Sequence, residues 1–231
     1  MYFKPHSNNI FSHLRGWFNY YIRYKFRCFI QMDSYSVVMR SYLKEMKLID
    51  RWNLHKLQIE PIVPRNAEKL YALVYPWRRR ELRELLENNS LCFVGKLNGK
   101  IISYSLNSIG GIDPKIERDL GLEIPMGPRD VWGVDIVVAP PARGKGVEFS
   151  IFKNGSEFWR SMGMEYLYAS VSLRDRGSLK MHKRVGFKPI YIHYLRRRFG
   201  FQKSQLMPID NKSVAIAERA AKGANISFLW K

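Results

Sequence analysis

Two prolines, two glycines and two basic residues interrupt the chain between an apolar run, Val131 to Val138, and an amphipathic one that opens at Val147. The stretch reads Ala139-Pro140-Pro141-Ala142-Arg143-Gly144-Lys145-Gly146. The run on its left is rich in β-branched residues and reads as a strand. On its right, Val147, Ile151, Gly155, Phe158, Trp159 and Met162 recur at helical spacing and mark one face of a helix. A strand feeding a helix through so tight a bend restricts the chain to mixed α/β architectures. The bend also leaves amides of the first helical turn without an intrahelical partner, at the positive end of the helix dipole. Glycine there lets an anion approach the main chain and permits positive φ, and Arg143 and Lys145 add charge beside the amides. A nucleotide or coenzyme phosphate is the guest such a bend suits. Neither common phosphate loop fits: GxxxxGK[ST] is absent, and GxGxxG fails at its third glycine, where Phe149 stands.

From residue 55 onward strands and helices alternate. Residues 56–63 read as a strand, 66–75 and 77–88 as helices parted by Pro76, and 91–108 as a hairpin. Its turn is Asn98-Gly99, a pair favoured where both central residues need positive φ. Residues 106–129 are rich in Gly and Pro and read as a loop. Beyond the helix at Val147, residues 166–173 read as a strand, 178–185 as a short helix stopped by Gly186, and 187–195 as a strand whose Pro189 predicts an irregular start. The chain thus divides into a basic, aromatic N-terminal extension (1–55), an α/β domain (56–195) and a basic C-terminal tail (196–231). The tail opens on Arg196-Arg197-Arg198 and closes on an apolar stretch, 226–230, that could add a strand.

In the extension, Ile10, Phe11, Leu14, Trp17, Phe18, Tyr21 and Ile22 recur at helical spacing, with Arg15, Arg23 and Lys25 around them. This predicts an amphipathic helix, with a strand following near residues 27–32. Docking of its apolar stripe on the rest of the protein is the favoured reading, since such stripes are more often core than anchor. The other is peripheral contact of residues 8–24 with an anionic membrane.

Lys and Arg total 39 against 20 Asp and Glu, a net charge of +19 that draws anionic partners: nucleic acid, acidic lipid, an acidic protein or a phosphorylated coenzyme. The two cysteines, Cys28 and Cys92, and the five scattered histidines have no metal-ligand spacing, so no metal centre is expected. With no disulfide framework, no membrane-spanning run and no signal-peptide core, the sequence predicts a cytoplasmic protein, peripheral to the membrane if the extension binds lipid.

The segment Val138 to Gly146 resembles the V-x-P-x-x-R-G-x-G motif with which the GNAT superfamily of N-acyltransferases holds acyl-coenzyme A. Asp175 to Phe187, after the 166–173 strand, is similar to that family's N-x-x-A/S-x-x-L-Y/H-x-x-x-G-F element, and the order of elements over 56–195 agrees as well. The resemblance implies a mixed, mostly antiparallel sheet flanked by helices, with splayed central strands and acetyl-CoA, or another acyl-CoA, as co-substrate. It places the diphosphate on Arg143, Gly144, Lys145, Gly146 and Val147, the pantetheine arm on the backbone of Val137 and Val138, and Asp175 and Ser178 beside the coenzyme. Two positions depart from the pattern. Glu148 stands where a small residue is usual and could crowd the diphosphate, or simply complement the helix dipole; Asp175 replaces the commoner Asn and can still cap the short helix.

His182 falls where the family often places a Tyr serving the departing sulfur, and an imidazole of ordinary pKa can donate a proton at neutral pH. Asp135, a charge inside an apolar strand, is the candidate base, directly or through water; a structural ion pair with an Arg is the alternative. The expected activity is transfer of an acyl group, acetyl first, from coenzyme A to a primary amine by direct attack in a ternary complex. A small-molecule or saccharide amine is the expected acceptor. Three other readings stand beside it: an acyl donor carried on an acidic carrier protein, a catalytically silent GNAT-like scaffold, and a basic nucleic-acid-binding protein, although no specific nucleic-acid motif accompanies the charge.

Overall fold

The computed structural model describes residues 32–47, 57–88, 90–199, 201–220 and 229. These form eight strands: β1 (Met32–Tyr42), β2 (Leu57–Ile62), β3 (Ser90–Leu97), β4 (Lys100–Ile109), β5 (Asp130–Val138), β6 (Tyr166–Ser172), β7 (Lys188–Arg198) and β8 (Phe201–Pro208). With them come five α-helices: α1 (Arg79–Glu87), α2 (Pro114–Leu120), α3 (Val147–Ser161), α4 (Arg176–Arg184) and α5 (Asn211–Ala220). All eight strands join one sheet in the order β2-β3-β4-β5-β6-β1-β7-β8. Every neighbouring pair is antiparallel except β5 and β6. This is the mixed, mostly antiparallel sheet with flanking helices that the family resemblance implies.

Strand alternation sends side chains to two cores. On one face Val37 and Met39 of β1 and Leu167, Ala169 and Val171 of β6 pack with Trp159 of α3, Leu179 of α4 and Ala217 of α5. On the other, Cys92, Val94, Tyr104 and Leu106 meet Leu82, Leu85 and Leu86 of α1, while Val38, Trp132 and Tyr168 meet Leu122 and Ile124. The Asn98-Gly99 turn takes the expected positive φ at both residues, 51° and 74°.

The structure corrects the reading of the sequence in four places. Residues 32–42, assigned to the N-terminal extension, form a strand of the main sheet, inserted between β6 and β7. Part of the C-terminal tail likewise belongs to the fold, as β8 and α5. The supposed loop 106–129 carries α2, capped by Asp113, whose carboxylate accepts from Lys115 N at 2.9 Å, and stopped by Gly121 in the left-handed region. The helix predicted over 66–75 is a 3₁₀ helix and spans 64–70. The predicted amphipathic helix at 8–24 and the apolar stretch 226–230, apart from Leu229, lie outside the described residues. Among the described residues no helix is long and apolar enough to cross a membrane.

Candidate active site

The two central strands part next to one extra residue. β5 and β6 pair only from Asp130↔Tyr166 to Gly133↔Ala169. On its other edge β5 pairs with β4, and there the register shifts: Asn107 faces Gly133 but Leu106 faces Asp135, so Val134 is bulged out. A bulge bends its strand and sharpens the twist. Pairing with β6 ends at the residue before it, and beyond Gly133 the two strands diverge. Gly133 stands at the last paired position, where a Cβ would press on the Tyr168 carbonyl oxygen at 3.2 Å. The gap opens into a cavity of about 220 Å³ whose wall includes Ser105, Asn107, Asp135, Ser170, Ser178 and His182.

At the end of β5 the chain makes a 3₁₀ turn over Pro140–Ala142 and then the predicted bend. Main-chain hydrogen bonds run as far as Arg143 N to Pro140 O (3.3 Å) and resume at Phe149 N to Gly146 O (3.0 Å). Among the described residues the amides between them, from Gly144 to Glu148, have no carbonyl partner of good hydrogen-bond geometry. Gly144 and Gly146 take φ of 71° and 78°, a region costly for any residue with a Cβ. Arg143, Gly144 and Lys145 are exposed, so the bend is open to a ligand. Arg143 Nε donates to the Val138 carbonyl at 2.9 Å, which ties the bend to the strand it leaves. Half-buried Glu148 lies in the first turn of α3, where a carboxylate complements the dipole.

Across the gap α4 begins as expected: Asp175 Oδ1 accepts from Ser178 N at 2.9 Å. One turn on, His182 is 4% exposed, edge-on to Phe152 and Phe187 at ring separations of 5.5 Å and 4.9 Å. Its Nδ1 lies 2.8 Å from the Ser178 carbonyl oxygen, which can only accept, so Nδ1 carries the proton and Nε2 is left as an acceptor. Burial pushes the imidazole down to about 4, against the opposing pull of the Ser178 carbonyl and Asp175. At neutral pH the ring is therefore uncharged.

Asp135 lies on the opposite wall. Its Oδ2 accepts from Arg78 Nη1 at 2.7 Å and from the Tyr104 hydroxyl at 2.9 Å. Burial, reinforced by the Asp135 charge, pushes the Tyr104 hydroxyl well above its ordinary range and keeps it a donor. Nearby Cys92 is fully buried, and burial likewise drives its thiol far from ionisation.

The structure therefore gathers the predicted residues into two groups: Asp135, Ser178, Asp175 and His182 around the gap, and Arg143, Gly144, Lys145, Gly146 and Val147 at the bend, with Val137 and Val138 between them. Sequence reading missed Arg78 and Tyr104. Arg78 is one of three consecutive arginines, 78–80, and only the fold distinguishes it.

Residues 52–187 match the model of the acetyltransferase (GNAT) family. The chain belongs to that family. Among solved structures it is similar to the GCN5-related glucosamine N-acetyltransferase region of a fungal multi-domain GH3 beta-N-acetylglucosaminidase. Identity is 18% and the TM-score 0.56, over 82% of this chain and 23% of that one, so it spans less than a quarter of the fungal protein. A functionally unknown conserved protein from Staphylococcus epidermidis superposes with a TM-score of 0.52 at 10% identity, covering 84% of this chain and 69% of that one. The aminoglycoside N-acetyltransferase AAC(6')-Iy, solved in complex with CoA, gives 0.44 at 19% identity, covering 57% of this chain and 91% of that one. At these identities the likeness to the first two is one of fold alone. No curated protein matches the sequence.

Proposed function

We propose that the chain moves an acyl group, acetyl first, from coenzyme A to a primary amine by direct attack in a ternary complex. The observation that carries this reading is the polar gap beyond Gly133 together with the bend that ends the same strand, whose amides from 144 to 148 have no main-chain partner among the described residues. The residues present fit the coenzyme. The amides of 144–148 and the Lys145 ammonium suit its diphosphate, and the edge of β5 that β6 leaves unpaired, Val134 to Val137, suits the amides of its pantetheine arm. Bound there, the coenzyme supplies the activated thioester.

An amine must lose a proton to attack. In this reading Asp135, held by Arg78 and Tyr104, orients the arriving amine and takes its proton through water. His182 enters as a neutral acceptor at Nε2, not as the acid its ordinary pKa suggests, and the leaving sulfur recovers a proton shed by the amine nitrogen. With the Cys92 thiol buried and protonated, no step calls on an enzyme nucleophile. The hydroxyl and amide groups of Ser105, Asn107 and Ser170 suit a small polar or saccharide amine as acceptor.

The test is a mass-spectrometric screen of small amines and amino sugars with acetyl-CoA, joined to calorimetry of coenzyme binding. An acetylated amine together with coenzyme binding supports the reading; a chain that neither binds coenzyme A nor acetylates any amine sinks it.

A further inference from the structure

One end of the sheet carries a surface that acyl transfer does not use. β7 and β8 meet in a tight turn whose last pair is Arg198↔Phe201, with Phe199 at a φ of 48°. Phe199 is 64% exposed and Phe201 82%, the highest values among the exposed large hydrophobic residues described. The segment that carries them is basic: Arg196, Arg197, Arg198 and Lys203, with no Asp or Glu from 196 to 203. Arg196 pairs with Asp33 at 3.6 Å, and Arg197 bonds Gln202 and the Asp119 carbonyl; Arg198 and Lys203 are exposed beside the two rings.

This tip projects from the end of the sheet toward which the gap opens. Ser36 of β1 pairs both with Ser172, the last residue of β6, and with His193 of β7. β7 runs parallel to β6 and continues beyond that level to Arg198, which is roughly 16 Å at the usual rise of a strand. The β5–β6 gap opens toward this same end. β1 also begins here, with Met32 opposite Arg197, and residues 1–31 precede it in the sequence. That segment holds Lys4, Arg15, Arg23, Lys25 and Arg27, ten aromatic residues and no Asp or Glu.

We propose that the β7–β8 tip docks on an anionic phospholipid bilayer. Phe199 and Phe201 enter the interface, Arg198 and Lys203 meet lipid phosphates, and the open end of the acyl-transfer gap turns toward the membrane. Exposed rings on a narrow convex tip recover their hydration cost by entering a flat, soft surface, and a leaflet of negative surface potential attracts the surrounding cations. A nucleic acid would instead call for a basic groove or a platform of stacked rings, and a projecting turn provides neither. This docking is independent of the proposed chemistry.

The experiment is co-sedimentation of the full chain with vesicles of phosphatidylcholine alone and of phosphatidylcholine mixed with phosphatidylglycerol. Binding should require the anionic lipid, weaken with added salt, and fall by about tenfold or more in F199S/F201S, whose changes touch only exposed side chains. In F201W, vesicles with brominated acyl chains should quench fluorescence beyond the quenching seen in the parent protein. Undiminished binding by F199S/F201S overturns the proposal, as does an F201W reporter with no added quenching. A chain that ignores anionic vesicles but binds random duplex DNA overturns it in favour of nucleic acid.

Discussion

Acidification should loosen this fold through two buried imidazoles. His182 is 4% exposed and His193 3%. His193 spans three strands, with Nδ1 3.3 Å from the Ser36 hydroxyl and Nε2 2.9 Å from that of Ser204. Burial lowers both rings to about 4, against a single opposing main-chain hydrogen bond for His193 and the Ser178 and Asp175 contributions for His182. In the unfolded chain both titrate near 6.5. Between the two values the unfolded state binds protons that the folded state refuses, so stability is complete above about pH 6.5 and is lost as pH falls toward 4. At about pH 5 each ring costs about 2 kcal/mol relative to about pH 8, and the pair about 4 kcal/mol. That is a large share of the roughly 5–15 kcal/mol that holds a typical domain together. Urea denaturation at the two pH values, on the parent, His182→Gln, His193→Gln and the double variant, reads this directly. Each single variant should lose about half of the histidine-linked decline, whatever its stability at the higher pH. A double variant whose stability falls with pH as steeply as the parent's would refute the reasoning.

The coenzyme site gives a graded pair. Gly144→Asp, which adds both positive-φ strain and a negative charge, should abolish coenzyme binding by calorimetry, while Gly144→Ala, with strain of about 1–2 kcal/mol alone, should only weaken it. Asp135→Asn should lower turnover by about a hundredfold with the KM for acetyl-CoA little changed, and a matching rise in that KM would place the carboxylate with the coenzyme. His182→Ala should likewise reduce kcat more than coenzyme affinity, and the parent's kcat/KM profile should show no limb near 6.5 assignable to this ring. Trp159→Ala, emptying the buried face of α3, should cost about 3–5 kcal/mol in urea denaturation.

What the sequence made legible was local chemistry. The bend declared itself because Pro140, Pro141, Gly144 and Gly146 act on their own few residues, and α4 because Asp175 caps an amide three positions away. β1 hid for the opposite reason. Val37, Val38 and Met39 are buried on both faces of a central strand, but Asp33, Ser34, Ser36, Arg40 and Ser41 surround them, and neither alternation nor a long apolar run emerges. Its partners lie more than 120 residues away, at 166–172 and 188–197, and only the closed sheet supplies them. α2 was overlooked although Asp113-Pro114 and Gly121 mark its ends, because seven residues between Gly-rich segments carry too little periodicity to outweigh the turn signals.

The gap itself is the instructive case. Nothing in Val131 to Val138 says that Val134 is bulged, since a bulge is a property of two strands in register and not of one. The same bulge turns Asp135 to meet Leu106 across the pair, beside Tyr104 and within reach of Arg78. A residue noticed for being a charge in an apolar strand thus receives its partners from the irregularity beside which the cavity opens. Deleting Val134 should restore regular β4–β5 pairing with Asp135 still opposite Leu106, so that the ion pair with Arg78 survives while the bend that parts β5 from β6 is lost. Such a chain, if its core still denatures cooperatively in urea, should bind coenzyme A far more weakly than Asp135→Asn does. Equal coenzyme affinity in the deletion and the point variant would show that the gap owes nothing to the bulge.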